Sequence, residues 1–294
     1  MSGKTVLITG GTGGIGKETA IGLAKQGYHV IVTGRNRTRG EEAIEQIRHL
    51  TGNSQVDLLI ADMSIQADIH RLTETVMAQY TRLDVLINNV GVLAEARTLT
   101  ADGIELNFAV NHLATFLLTQ LLLPLLKQST PARVINVTGG MPSTIDLDNL
   151  QAEQSYMGMV TYSHTKAIMM AASYEMAQRL KESGVTVNVA YPGAAATNMT
   201  HNISAKMMPF WMRPFMPLMR QMFRLIPDSV ARAARSSIYL ASSPELEGVT
   251  GQYFDTNSNP AKWSDDMVDE QVRQHIWQIS QALVQRDIPK VTVV

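Results

Sequence analysis

Eight residues near the start of the chain, Thr9-Gly10-Gly11-Thr12-Gly13-Gly14-Ile15-Gly16, have the composition of a phosphate cradle. They follow an apolar run, Thr5 to Ile8, that reads as a buried strand. They precede Lys17 to Gln26, where Ala20, Leu23 and Ala24 share a helical face before Gly27. Backbone without Cβ atoms can turn tightly and approach a ligand, and a helix start offers unpaired N–H groups with partial positive charge. A glycine-rich turn that holds nothing has the same letters; the strand–turn–helix context is what favours a dinucleotide. Beyond a second apolar run lies Gly34-Arg35-Asn36-Arg37, with no carboxylate before Glu41. A dinucleotide site for NAD favours an acid at this point, and one for NADP an arginine, whose planar fork suits phosphate. Much later, Tyr162 and Lys166 stand four apart, on one face of any helix that holds them. Alone, that pair is also what an ordinary amphipathic helix offers.

These residues must be positioned by something, and strand and helix signals alternate from the start. Besides Thr5–Ile8, strands are predicted at about 29–32, 56–60, 84–87, 133–138, 185–190 and 251–255. Helices are predicted at about 41–50, 65–80, 103–127, 161–183 and 265–285. The helix from Gly103 to Lys127 is apolar on nearly every side, which requires the sheet on one face and another helix or a subunit on the other. The alternation predicts an α/β fold, a doubly wound parallel sheet with helices on both faces, and a single domain spanning 1–294 accounts for every signal. Ligands of such sheets bind beyond the carboxyl ends of the strands. There the unusual clusters fall: the glycines, Arg35, Asp62, Asn88 to Gly91, Thr138 to Gly140, and Pro192 to Thr197.

Composition narrows the rest. The 294 residues are 45% hydrophobic and 17% charged, which is globular and ample for a core. A formal net charge of −1 gives no electrostatic case for nucleic acid. With no cysteine there is no disulfide framework, thiol nucleophile or thiolate-bound metal. His112, His164 and His201 lack metal-ligand spacing with carboxylates, so no metal is expected. A strand so close to Met1 leaves no room for a signal peptide, and the apolar run Leu113 to Leu126 is broken and short for a bilayer. A cytoplasmic protein is expected, at most one lying on a membrane surface.

Five pieces, in order and spacing, give the chain a resemblance to the short-chain dehydrogenases/reductases over nearly its whole length. They are Thr9-Gly10 with Gly14-Ile15-Gly16, Asn88-Asn89-Val90-Gly91, Asn111, Tyr162 with Lys166, and Pro192-Gly193 followed by Thr197. Asn111 to Leu118, and Asn149-Leu150-Gln151 ahead of the Tyr162 helix, look most like the retinol-dehydrogenase and WW-domain-oxidoreductase branch. The resemblance implies a Rossmann-type fold in which Tyr162 is the acid/base on the substrate oxygen and Asn111 holds a water continuing the proton path. A phenol titrating at about 10 needs help at neutral pH, and Lys166 beside it would lower that value. The resemblance further implies a cofactor site of Gly10, Thr12, Gly13, Gly14, Ile15, Gly16, Arg35, Asn36, Asp62, Met63, Asn89, Val90, Gly91, Tyr162, Lys166, Pro192, Gly193 and Thr197. Within it Asp62 would face the adenine, Asn89 and Gly91 the adenosine ribose, and Thr197 the nicotinamide carboxamide. NADP(H) is the cofactor expected, on Arg35.

One position departs from that pattern. Members usually end the fifth strand with two serines, the second bonding the substrate oxygen; here Thr138 and Gly139 stand there. Losing that donor could cost a few kcal/mol in the barrier. Thr138 is the nearest substitute, although strand alternation aims it elsewhere unless the backbone bends; Ser143 and Thr144 follow in a loop. Two glycines would also widen the site for a bulky substrate. From about 198 to 227 the chain carries many methionines with Phe210, Trp211, Phe215 and Phe223, four basic residues and no acid. By resemblance this is the substrate lid, and methionine-rich walls suit a lipophilic ligand; it also has the make-up of an interfacial helix on a membrane. The expected function is transfer of hydride between NADP(H) and a lipophilic carbonyl or alcohol. Gly139 keeps open a cofactor-binding protein with a non-redox or scaffold role, and the long helices permit a homodimer or homotetramer.

Overall fold

A computed structural model describes residues 3–193, 195, 197–201, 203–208, 210–215 and 229–285. Most strands are short apolar runs because both faces of the sheet are covered, so alternation gives way to continuous burial. The strands are β1 Thr5–Ile8, β2 His29–Gly34, β3 Val56–Ile60, β4 Val85–Asn88, β5 Ala132–Val137, β6 Val185–Ala190, β7 Tyr253–Phe254 and β8 Pro260–Ala261. They form one sheet in the order β3-β2-β1-β4-β5-β6-β7-β8, parallel throughout except for the antiparallel β8. The doubly wound α/β expectation holds, and β8 is an addition to it.

The main helices are α1 Gly14–Lys25, α2 Arg37–Thr51, α3 Gln66–Gln79, α4 Leu106–Gln128, α5 Gly158–Arg179, α6 Ser229–Ser242 and α7 Glu270–Val284. One face of the sheet packs against α1 and α6, through Leu23, Ala24, Leu240 and Ala241. Gly22 lets those two helices touch, since a Cβ there would stand 2.3 Å from the Ile238 side chain. The other face packs against α3, α4 and α5, where Ile69, Leu72 and Val76 meet Phe116, Leu118 and Leu122. The all-round apolarity of α4 is thereby explained: its surroundings are the sheet and other helices of the same chain. By length and composition Leu106–Gln128 could cross a membrane, but 78% of its most apolar window is buried in the fold.

Two helix readings change. Ser229–Ser242, unassigned by sequence, is a helix. The segment predicted as one C-terminal helix is two, Asp265–Val268 and α7, divided at Asp269, whose extended backbone lets its carboxylate cap α7 at the Val272 N–H. The lid expected over 198–227 is described as short turns up to 215; its remainder, with Phe223, lies outside the described residues, as do the side chains of Phe215 and His201.

Candidate active site

The glycine stretch connects β1 to α1 and is held by its neighbours rather than by its own side chains. Gly10 and Gly14 take φ values of +66° and +52°, which residues bearing a Cβ rarely adopt. Asn89 donates its amide to the carbonyls of Thr9 and Gly10 at 3.0 and 3.3 Å, and Thr9 Oγ1 accepts from the N–H groups of Asn89 and Val90. Asn89 therefore acts as a clamp on the loop. A Cβ on Gly16 would stand 2.4 Å from the Gly10 carbonyl oxygen and 2.5 Å from the Asn89 amide nitrogen. Gly16→Ala is expected to cost about 1–3 kcal/mol of stability by this overpacking and to abolish dinucleotide binding. A thermal melt and a binding titration check it; a wild-type melt with binding kept would mean that the loop gives way. The first turn of α1 has no side-chain cap at Gly13, which leaves N–H groups to a ligand.

Beyond the end of β4, Gly91 lies where two side chains meet. A Cβ on it would stand 3.4 Å from Asn111 Oδ1 and 3.5 Å from Lys166 Nζ. Asn111 belongs to a π-helical turn, Ala109–Leu113, inside α4. Such turns displace one residue from the helix and often mark functional positions. Its Oδ1 accepts from the Val92 N–H at 2.8 Å, while Nδ2 donates to the Val92 carbonyl at 3.0 Å and to Thr165 Oγ1 at 3.1 Å. Asn111 is thus bound to the strand-end backbone.

Tyr162 and Lys166 share the buried face of α5, as their spacing requires. Lys166 donates to the Val137 carbonyl at 3.0 Å, and burial lowers its ammonium to about 8. Burial also dominates at Tyr162, where it pushes the phenol well above its ordinary value, with Tyr191 adding to the rise. Lys166 contributes no lowering at this phenol, so burial sets it and it stays protonated through the neutral range.

The end of β5 also differs from expectation. Position 139 does face the tyrosine, but no room is left over, because a Cβ on Gly139 would stand 2.7 Å from the Tyr162 hydroxyl oxygen. Tyr162 fills the space that two glycines were expected to open. Gly140, at φ +89°, packs on Ser163, whose hydroxyl accepts from the Met141 N–H and donates to the Met159 carbonyl. Thr138 Oγ1 is buried with no hydrogen-bond partner among the described residues. Ser143 donates to the Thr144 carbonyl, and neither residue lines the central cavity.

That cavity, of about 420 Å³, brings together Gly10, Gly13, Gly14, Ile15, Asn89, Val90, Gly91, Thr138, Gly139, Tyr162, Lys166, Pro192, Gly193 and Thr197. Thr197 faces the glycine loop, its methyl 3.4 Å from the place of a Gly14 Cβ. Sequence reasoning missed Met141, Met159 and Tyr191, which join Met199, Met208 and Met212 in the wall. No local pattern marks those three, since β5, β6 and α5 carry them in from separate parts of the chain. Thr12, Gly16, Arg35, Asn36, Asp62, Met63 and Asn111 lie outside the cavity. Thr12 covers Gly34, its methyl 2.6 Å from where a Cβ would be, beside the exposed Arg35. Asn36 caps α2, accepting from the Arg39 N–H at 3.0 Å, and Asp62 Oδ1 accepts from the Ser64 N–H and hydroxyl. The Met63 side chain packs into the core with Ile69 and Leu72, leaving only its backbone for a ligand. His112 and His164 are structural: one bonds Ser280, and the other bonds the Asp146 N–H. A second concavity, of about 470 Å³, lies at the opposite edge of the sheet around His29 and Asp57, remote from all of these groups.

The family model of short chain dehydrogenases matches residues 4–208. Retinol dehydrogenase 14 of Homo sapiens is 37% identical over 97% of this chain and 87% of its own length. An uncharacterized protein from Mycobacterium paratuberculosis shares the fold with a TM-score of 0.75 at 26% identity, covering 96% of this chain and 94% of its own. The NADP complex of RhlG from Pseudomonas aeruginosa is also 26% identical, with a TM-score of 0.66 over 87% of this chain and 95% of its own. With the glycine loop, Asn111, Tyr162 and Lys166 drawn to one edge of a doubly wound sheet, this chain belongs to the short chain dehydrogenase family, in its retinol-dehydrogenase-like branch, and is an oxidoreductase.

Proposed function

We propose that the chain is an NADP(H)-dependent oxidoreductase acting on a lipophilic carbonyl or alcohol, with reduction as its direction. The carrying observation is that the glycine loop and the Tyr162–Lys166 pair open into one cavity whose wall includes five methionines with Leu93 and Ile203. A dinucleotide fits the residues present: Gly16 leaves no room for a Cβ, the α1 start is uncapped, and Arg35 stands exposed beyond Thr12 at the end of β2. A bound nicotinamide would supply or accept the hydride. Tyr162, kept protonated by burial, gives the proton to the substrate oxygen. Lys166 holds the β5 end through the Val137 carbonyl and is poised to hold the nicotinamide ribose, and Asn111 orders the strand end beside it. Adaptable thioether walls favour an apolar substrate. Two relatives support the finer reading by name, a retinol dehydrogenase and an NADP complex. Phe210 and Trp211, 77% and 62% exposed beside Met212, support peripheral contact with a lipid surface.

NADPH oxidation with a panel of lipophilic aldehydes and ketones tests the reading; tight NADPH binding with no turnover on any of them would count against it. Arg35→Glu is expected to weaken NADPH by about 10- to 100-fold, the worth of one charge-assisted contact, with NADH little changed. Equal weakening of both cofactors would remove Arg35 from the phosphate site.

A further inference from the structure

α7 has one apolar stripe, and that stripe is used up inside the chain. Ile276, Trp277, Ser280 and Leu283 are buried, whereas Gln271, Gln274 and Gln278 face solvent. The stripe lies across the outer side of α4 and α5. Trp277 meets Phe116 of α4 edge to face, with ring centroids 4.8 Å apart, and the Arg179 guanidinium of α5 stacks over it at 4.3 Å. Arg273 forms a buried ion pair with Glu175 of α5 and donates to the Val268 carbonyl. Gln66 at the start of α3 donates to the Leu283 carbonyl at 3.3 Å. Ser280 bonds His112 at 2.7 Å, and His112 is the residue after Asn111 in the π-helical turn. Burial lowers His112 to about 3, so it stays neutral and this bond does not change near neutrality.

A buried ion pair and a buried histidine bond specify one seating, because leaving either unpaired under an apolar helix is costly. Among the described residues little apolar surface is left on that face for a second copy, only the half-buried Leu121 and Leu123 and the exposed Val160 at the start of α5, and the outward side of α7 offers glutamines instead. We propose that α7 is the resident partner of the α4–α5 face, holding the chain as a monomer and bracing the turn that carries Asn111.

The experiment is light scattering combined with hydrogen exchange on the full chain. It needs no turnover, so it fails or succeeds independently of the redox reading. The wild type is expected to have the mass of one chain over a wide concentration range, with α7 amides as protected as those of α5. Trp277→Lys, which sets a cation against Arg179, is expected to release α7 and raise exchange there and in Ala109–Leu113. The mass should then climb toward two chains with concentration. A wild type of two-chain mass, or one whose α7 exchanges freely, overturns the proposal. So does a Trp277→Lys chain that frees α7 but leaves Ala109–Leu113 protected or stays at one-chain mass. Should that variant fail to fold, Ser280→Val, which removes the His112 bond alone, still tests the brace: unchanged exchange in Ala109–Leu113 would overturn it.

Discussion

Tyr162→Phe lowers NADPH-driven reduction by about a hundredfold to ten-thousandfold, the usual worth of a positioned proton donor, with cofactor affinity kept. The phenyl ring keeps its packing in the cavity, so only the hydroxyl is lost, and a steady-state assay beside a cofactor titration separates the two effects. Burial holds the wild-type phenol protonated, which is the state a reduction consumes. The alkaline limit is then set elsewhere. Lys166, lowered to about 8 by desolvation, loses its charge as pH rises through that value. Reduction by the wild type should hold through neutrality and decline above it, not below. Wild-type turnover in Tyr162→Phe would exclude the phenol as donor.

The sheet was legible because strands buried on both faces are written as apolar runs, and β1, β3 and β6 coincide with their predicted bounds. Helix starts were less so. α1 begins at Gly14 rather than Lys17, since a glycine poor in helix propensity is held in place by the loop it closes. Ser229–Ser242 escaped because serine and alanine make up most of its buried face, and packing on α1 decides it instead. The membership of the site was readable at Tyr162, Lys166 and the glycines, where backbone geometry and helix spacing dictate residue type. It was unreadable where a side chain's direction depends on a distant element. Asn89 turns back to clamp the loop, Met63 turns into the core, and Asn36 spends its oxygen on a helix cap. The burial that sets Tyr162 and Lys166 is likewise a property of the assembled cavity, which no local spacing carries.

Gly139→Ser is the sharper trial of that cavity, and it should impair the enzyme although it supplies the hydroxyl that the family resemblance led one to expect there. Two effects compete. A donor to the substrate oxygen is worth about 3–4 kcal/mol when well aimed, whereas forcing an extra carbon into a packed site costs about 1–3 kcal/mol. The larger figure applies only if the donor is well aimed, and aiming it first requires room for the carbon that carries it. The new Cβ would lie 2.7 Å from the Tyr162 oxygen, inside van der Waals contact, before its own hydroxyl is placed at all. The tyrosine that must move is anchored on α5, whose next turn is fixed by the Lys166 bond to Val137 and by the Thr165 bond to Asn111. Relief therefore comes by displacing the proton donor, and each 1.4 kcal/mol lost from the transition state is about tenfold in rate. Gly139→Ala separates the terms, because it adds the carbon without the hydroxyl. Both variants are expected to fall at least about tenfold below wild type, with serine no better than alanine. A serine variant faster than wild type beside a slower alanine variant would mean that the phenol yields and the hydroxyl is what this site lacks.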